Sequence, residues 1–148
     1  MPKPSHRFAE IVLGVDARRP AEAAIGLAFD CARLWGARLH AVHAWRFPSC
    51  AAELPFGIPE EDRAAWEDHE VQLLSDALRP WREKYPDVRV LEDVRHLPPA
   101  DALVLLSGDA RLVIVGRSRS RTGEPGTVAR DVLRDARGPV VLVPAQGQ

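Results

Sequence analysis

Leu112-Val-Ile-Val-Gly116, then Arg117-Ser-Arg-Ser-Arg-Thr-Gly-Glu-Pro-Gly126, then Thr127-Val-Ala-Arg-Asp-Val-Leu-Arg-Asp-Ala136, then Val140-Val-Leu-Val143. These four consecutive stretches decide the fold. The first and last are short, nearly unbroken apolar runs. A strand with one wet face alternates apolar and polar residues, whereas a strand covered on both faces does not, so both runs read as buried parallel strands. Between them, Val128, Val132, Leu133 and Ala136 are spaced for one face of a helix. Strand, polar loop, helix and strand make one crossover unit of a parallel sheet.

The same unit repeats toward the N-terminus. Ile11-Val-Leu-Gly-Val15 and Leu39-His-Ala-Val-His-Ala-Trp45 are further apolar runs. Val88-Arg-Val-Leu-Glu-Asp-Val94 is more polar, which suits an edge strand. Ala24, Leu27, Ala28, Cys31, Leu34 and Trp35 mark a helix that Gly36 stops. Trp66, Leu73, Leu74, Ala77, Leu78 and Trp81 mark a longer one. It starts near Pro59, with Glu60, Glu61 and Asp62 at the positive end of its dipole. Pro80 is expected to kink or end it. A short helix from Pro99 to Ser107 closes at Gly108. Strict alternation of strands and helices predicts an α/β, doubly wound, Rossmann-like sheet of five parallel strands. Its expected order is 3-2-1-4-5, with helices on both faces.

The 148 residues fit one domain, 1–148, large enough to bury its own core. Basic and acidic side chains nearly balance, at 20 against 21, so charge gives no reason to expect a nucleic acid or an anionic membrane as partner. No apolar run has the length of a leader's core or of a membrane span, which predicts a cytoplasmic protein. Cys31 and Cys50 lie far apart in no paired motif, so no disulfide or cysteine metal site is expected, and Cys31 reads as a small core residue. His40 and His43 are three apart on a strand and face opposite ways, so they read as interior or edge polar residues and not as a chelating pair. Trp66 and Trp81 read as packing residues.

Ligands of doubly wound sheets bind at the carboxyl ends of the strands, where strand order reverses. The residues that follow the runs are therefore the ones to inspect: Gly14 to Arg19, Ala44 to Arg46, and Gly116 with the loop to Thr127, with Val15, Asp16, Ala44, Val115, Gly116 and Val128 as candidates. That loop carries Arg117, Arg119 and Arg121, several glycines and hydroxyls, and opens a helix. Free N–H groups at a helix start favour an anion, and glycine allows close approach. Thr127 is the candidate N-cap. A phosphate site and a plain polar loop leading to a capped helix are both compatible with these residues.

Motifs for other chemistries are missing. The turn after the first strand is not G-x-G-x-x-G, no lysine follows Gly126, and no G-x-S-x-G occurs. An acidic cluster of the phosphoacceptor kind is also lacking after the first strand.

The strand ending Gly14-Val15-Asp16, the segment Gly36-Ala-Arg-Leu-His-Ala-Val-His-Ala-Trp45, the run Ala110 to Gly116 and the ending Gly126 to Val143 together resemble the universal stress protein family. ATP-binding members carry G-x2-G-x9-G-[ST] after the fourth strand. Gly116 matches the first glycine, and Gly126-Thr127 match the last pair. Arg119 stands at the second glycine, and the loop is three residues short. The resemblance implies that Asp16 faces a ribose and that the Ala44 backbone meets adenine. Gly116, Gly126, Thr127 and neighbouring main chain would meet phosphates, with Arg117, Arg119 or Arg121 replacing part of the missing cradle. It also implies a stress-response regulatory protein, not an enzyme, holding ATP (with Mg) or another adenine nucleotide weakly. A non-nucleotide dimeric scaffold of the same family is the alternative. A homodimer is expected through the apolar edge strand Pro139, Val140, Val141, Leu142 and Val143.

Overall fold

A computed structural model describes residues 10–47, 57–116 and 126–144. The strands are β1 (Glu10–Gly14), β2 (Arg38–Ala44), β3 (Val90–Arg95), β4 (Leu112–Gly116) and β5 (Val140–Val143). The helices are α1 (Glu22–Trp35), α2 (Glu60–Lys84), α3 (Pro99–Ser107) and α4 (Thr127–Asp135). All strands are parallel, in the order β3-β2-β1-β4-β5, as the alternation predicts. The polar β3 is indeed an edge. None of the helices is long and apolar enough to cross a membrane, among the described residues.

Each buried strand serves two cores because successive side chains point to opposite faces. Ile11, Leu13, Leu39, Ala41 and Ile114 face α1 and α2. Val12, Val42, Val113 and Val115 face α3 and α4. On the first face, Phe29 stacks on Trp81 at 6.2 Å between ring centroids and tilts against Tyr85 at 5.4 Å. Tyr85 Oη donates to Asp30 Oδ1 at 2.6 Å. These rings join α1 to the end of α2. They also account for a difference from expectation: α2 continues past Pro80 to Lys84. Pro80 is exposed, so the carbonyl that loses its intrahelical donor is open to water, while the next residue, Trp81, stays packed on Phe29.

Other expectations are corrected at single residues. The buried face of α1 is Ala24, Ile25, Ala28, Phe29 and Ala32, whereas Leu34 is 80% exposed. Bulk is excluded only where the start of α1 meets β4, at Ala21 and Ala24. Trp35, partly exposed, instead has the Arg111 guanidinium 4.3 Å over its ring. On α4, Ala129 and Val132 are buried while Leu133 is exposed. The N-cap of α4 is Gly126, with Thr127 already inside the first turn and no side-chain cap. Gly36 does end α1, in the left-handed conformation (φ 61°) that glycine adopts without a Cβ penalty.

His40 and His43 face opposite sides of the sheet, and both are buried. His40 lies between two carboxylates: Nδ1 is 2.8 Å from Glu10 Oε1 and Nε2 is 2.7 Å from Asp93 Oδ2. Arg38 pairs with Glu10, and Arg95 donates to Asp93 at 2.8 Å. Burial pushes both carboxyls up, but the hydrogen bonds and charges of Arg38, Arg95 and His40 outweigh it and hold them below the usual carboxylate range. The sign of the pH dependence follows. A carboxyl whose folded pKa is depressed stabilises the fold above its unfolded pKa, and that contribution is lost as pH falls through the folded value. Urea unfolding should therefore show stability declining from about pH 5 downward. The His40→Gln variant, lacking the ring that bonds both Glu10 and Asp93, should decline less steeply. An equal slope for both proteins would contradict this account of His40.

Candidate functional site

Strand order reverses between β1 and β4, which both end in glycine. Outside their carboxyl ends lies a cavity of about 380 Å³, at the small end of the range for ligand pockets, roughly 300–1,000 Å³. One wall is the β1 end and the loop after it, Gly14, Val15, Asp16 and Arg18. The β2 end supplies Val42, His43 and Ala44. Val115 and Gly116 of β4 and Val128 of α4 form the opposite side, and Pro99 and Leu103 of α3 close the floor.

Six of the residues picked from the sequence therefore meet in one cavity: Val15, Asp16, Ala44, Val115, Gly116 and Val128. Gly126 and Thr127 begin α4 next to Val128 but are not among the described lining residues. Arg117, Arg119 and Arg121 lie outside the described residues.

Local geometry gives each wall its chemistry. The exposed Asp16 accepts a hydrogen bond at Oδ1 from the Arg18 N–H at 3.1 Å, and its carbonyl accepts from Arg19 N–H at 3.0 Å. That turn fixes the carboxylate at the cavity mouth. In a parallel ladder a residue's N–H and C=O point to the same neighbouring strand, alternating along the chain. Val42 points to β1, since its carbonyl accepts from Val15 N–H at 2.9 Å, and Trp45 N–H bonds to Arg95 on β3. Ala44 is therefore turned to the β1 side, beyond the last β1 residue, Gly14. Its main-chain donor and acceptor edge the cavity.

Gly116 has a packing role. A Cβ on it would lie 2.5 Å from Ala21 Cβ and 3.5 Å from Ala24 Cβ, at the start of α1. The glycine is required for α1 to sit against β4, whatever the cavity holds.

The sequence reading missed Glu70. This α2 carboxylate is fully buried, yet lies behind the cavity wall. Arg18 grips it with both terminal nitrogens, Nη1 at 2.6 Å from Oε1 and Nη2 on Oε2. His43 Nε2–H donates to Oε1 at 2.9 Å. His43 Nδ1 in turn lies 3.3 Å from the Ala17 N–H and 3.2 Å from the Val15 carbonyl. Burial alone would push the Glu70 carboxyl up, but Arg18 and His43 outweigh it and hold it below the usual carboxylate range. The signal was present in the sequence. Trp66, Glu70, Leu74 and Leu78 are spaced four apart, so the helix face that carries Leu74 and Leu78 also carries one acid, which needs a buried cationic partner.

A larger groove, about 620 Å³, runs between α3 and α4. It is away from the strand ends, and Arg134 on its rim is already paired with Asp131 and Asp135. No group of three or more residues suited to a metal ion occurs among the described residues.

Comparisons with known proteins bear on the family and the fold. Residues 7–144 match the family model described as the universal stress protein family. The chain is 38% identical over 146 residues to universal stress protein Rv2005c of Mycobacterium tuberculosis, covering 96% of this chain and 47% of that protein. It is 37% identical to Rv2623 of the same organism, covering 96% and 46%. The chain thus spans about half the length of these relatives. Among solved structures, the universal stress protein from Archaeoglobus fulgidus in complex with dAMP superposes with a TM-score of 0.64 at 26% identity, covering 90% of this chain and 96% of that one. A universal stress protein in complex with cAMP gives 0.66 at 22% identity, covering 94% and 98%.

Proposed function

This chain belongs to the universal stress protein family, and on that premise we propose that its strand-end cavity holds an adenine nucleotide as a regulatory ligand without rapid turnover. The observation that carries the proposal is the convergence of Asp16, the free main-chain edge of Ala44, Gly116 and Val128 on one cavity at the strand-order reversal. An apolar slot with a peptide edge suits a purine ring, and a carboxylate at its mouth suits ribose hydroxyls. Two structural neighbours are complexes with dAMP and cAMP, which supports adenine as the base.

The described wall favours few phosphates. Its one guanidinium, Arg18, is already balanced by Glu70. Phosphate charge would rest on the start of α4 and on the loop that carries Arg117 and Arg119. Because the loop between Gly116 and Gly126 is three residues shorter than the ATP-binding motif, AMP or dAMP is expected to bind at least as tightly as ATP, with or without Mg. Catalysis is not expected to be fast. Both nitrogens of His43 are engaged by protein groups, which leaves the ring unavailable as a base toward the ligand.

Isothermal calorimetry with AMP, dAMP and ATP tests the proposal. A charge-assisted hydrogen bond is worth about 1.5–3 kcal/mol, so Asp16→Ala should weaken binding by about tenfold or more. Absence of heat and of any melting shift at millimolar nucleotide would favour the second reading, a dimeric scaffold. That reading has its own supporting observation: β5 is an edge strand whose residues Val140, Val141, Leu142 and Val143 are all only half-buried. A homodimer through Pro139 to Val143 would cover them. Light scattering should then show twice the chain mass, reduced by Val141→Lys. A monomer at micromolar concentration would refute it.

A further inference from the structure

We propose that Glu70 is the positioning residue of the β1–α1 loop, setting the geometry with which residues 15–18 meet a ligand. The inference rests on the nucleotide reading only for the identity of that ligand. The loop's own ties are the turn at Asp16 and the packing of Val15 and Ala17 in the core. Asp16, Arg18 and Arg19 are exposed, and the β1 ladder ends one residue before, where Val15 N–H reaches Val42. A further anchor comes from α2, which is distant in sequence. Glu70 Oε1 and Oε2 together hold the Arg18 guanidinium end-on, and Oε1 also holds His43 Nε2–H. The ring so oriented presents Nδ1 to the Ala17 N–H, at 3.3 Å. One carboxylate therefore anchors the loop at Arg18 directly and at Ala17 through His43. Asp16 lies upstream of both anchors, at the cavity mouth.

The arrangement is selective in a way that packing alone does not require. A carboxylate with no exposed surface is costly to bury unless it is both paired and hydrogen-bonded. A leucine at 70 would continue the apolar face formed by Leu74 and Leu78. The acid is useful to the fold only through the two groups it orients, and both belong to the cavity wall. Its loss should loosen the loop before it loosens the sheet. A displacement of α2 would likewise reach Asp16 by this route.

Amide hydrogen exchange of the purified chain without ligand, together with dAMP affinity, tests the assignment. Glu70→Gln keeps the shape but loses the charge. It should speed exchange at Ala17 and Arg18 more than tenfold with β1 and β2 core amides unchanged, and should weaken dAMP at least fivefold. Leu74→Ala, one turn along the same buried face, is the control. It should lower the melting temperature without selectively opening the loop. If Glu70→Gln does not fold, Arg18→Ala, at a half-exposed side chain, should still accelerate exchange at positions 17 and 18. Equal loop exchange in Glu70→Gln and Leu74→Ala would reduce Glu70 to a structural residue and overturn the proposal, as would unaltered loop exchange in Arg18→Ala. A wild-type chain that ignores dAMP but shows the exchange pattern would remove the nucleotide reading and leave the positioning role standing.

Discussion

Glu70→Ala should destabilise the protein by about 3 kcal/mol, the lower end of the roughly 3–5 kcal/mol range for breaking a buried pair by removing one partner. The lower end applies because Arg18 is half exposed and recovers water when released. His43 does not. At 2% exposure its Nε2–H would be left without an acceptor, which alone costs about 1–3 kcal/mol. The cavity left by the missing carboxylate adds to this. For a domain of this size the melting temperature should fall by roughly 6–12 °C. A fall below roughly 2 °C, corresponding to less than about 1 kcal/mol, would mean that Glu70 does not hold the two groups together. The loss should also shrink at low pH. The depressed carboxyl contributes above the ordinary carboxylate range, and its contribution disappears as pH falls through its folded value.

The second large effect is expected at Gly116, where two explanations for the same glycine diverge. If the residue is small to admit a phosphate, Gly116→Ala should spare stability and weaken the ligand. The packing geometry requires the opposite order of effects. The new methyl would meet Ala21 Cβ at 2.5 Å, and a Cβ is fixed to its backbone and cannot swing aside as a side-chain tip does. The start of α1 must move, at a cost of about 1–3 kcal/mol. Ala21 is the N-cap of α1, a position that accepts glycine well. Ala21→Gly should therefore rescue Gly116→Ala. Urea unfolding of the two single variants and the double variant should give a coupling of about 1 kcal/mol or more, within the 0.5–3 kcal/mol seen for contacting residues. Additive effects would show that the methyl finds room elsewhere.

The central strands were legible because a strand buried on both faces must be apolar throughout, as Leu112 to Val115 is, whereas the equally apolar Val140 to Val143 proves to be a half-buried edge strand. The polar run ending at Val94 marked the edge for the same reason. The face of α1 was less legible. Leu27, Leu34 and Trp35 stay at least partly exposed, whereas Ile25 and Phe29 are buried beside Ala24, Ala28 and Ala32. Periodicity records which residues are apolar, not how near the neighbouring element comes. The cavity was partly legible, since position after a strand is a sequence property. Val15, Asp16, Ala44, Val115 and Gly116 follow from it directly. Arg18 does too, as part of the turn after the first strand, but Pro99 and Leu103 do not, because their place depends on which helix crosses which strand end. Glu70 is the extreme case, fifty-two residues from its partner Arg18 in sequence. Only the anomaly of an acid on a buried helix face pointed to it.

The most direct test of the central claim, that the strand-end cavity holds an adenine nucleotide, is an amide chemical-shift titration of the full chain with dAMP. The account predicts saturable shifts concentrated at Val15, Asp16, Ala44, Gly116 and the start of α4, and their loss in Asp16→Ala. No shifts at millimolar dAMP, or shifts confined to the groove between α3 and α4, would contradict it.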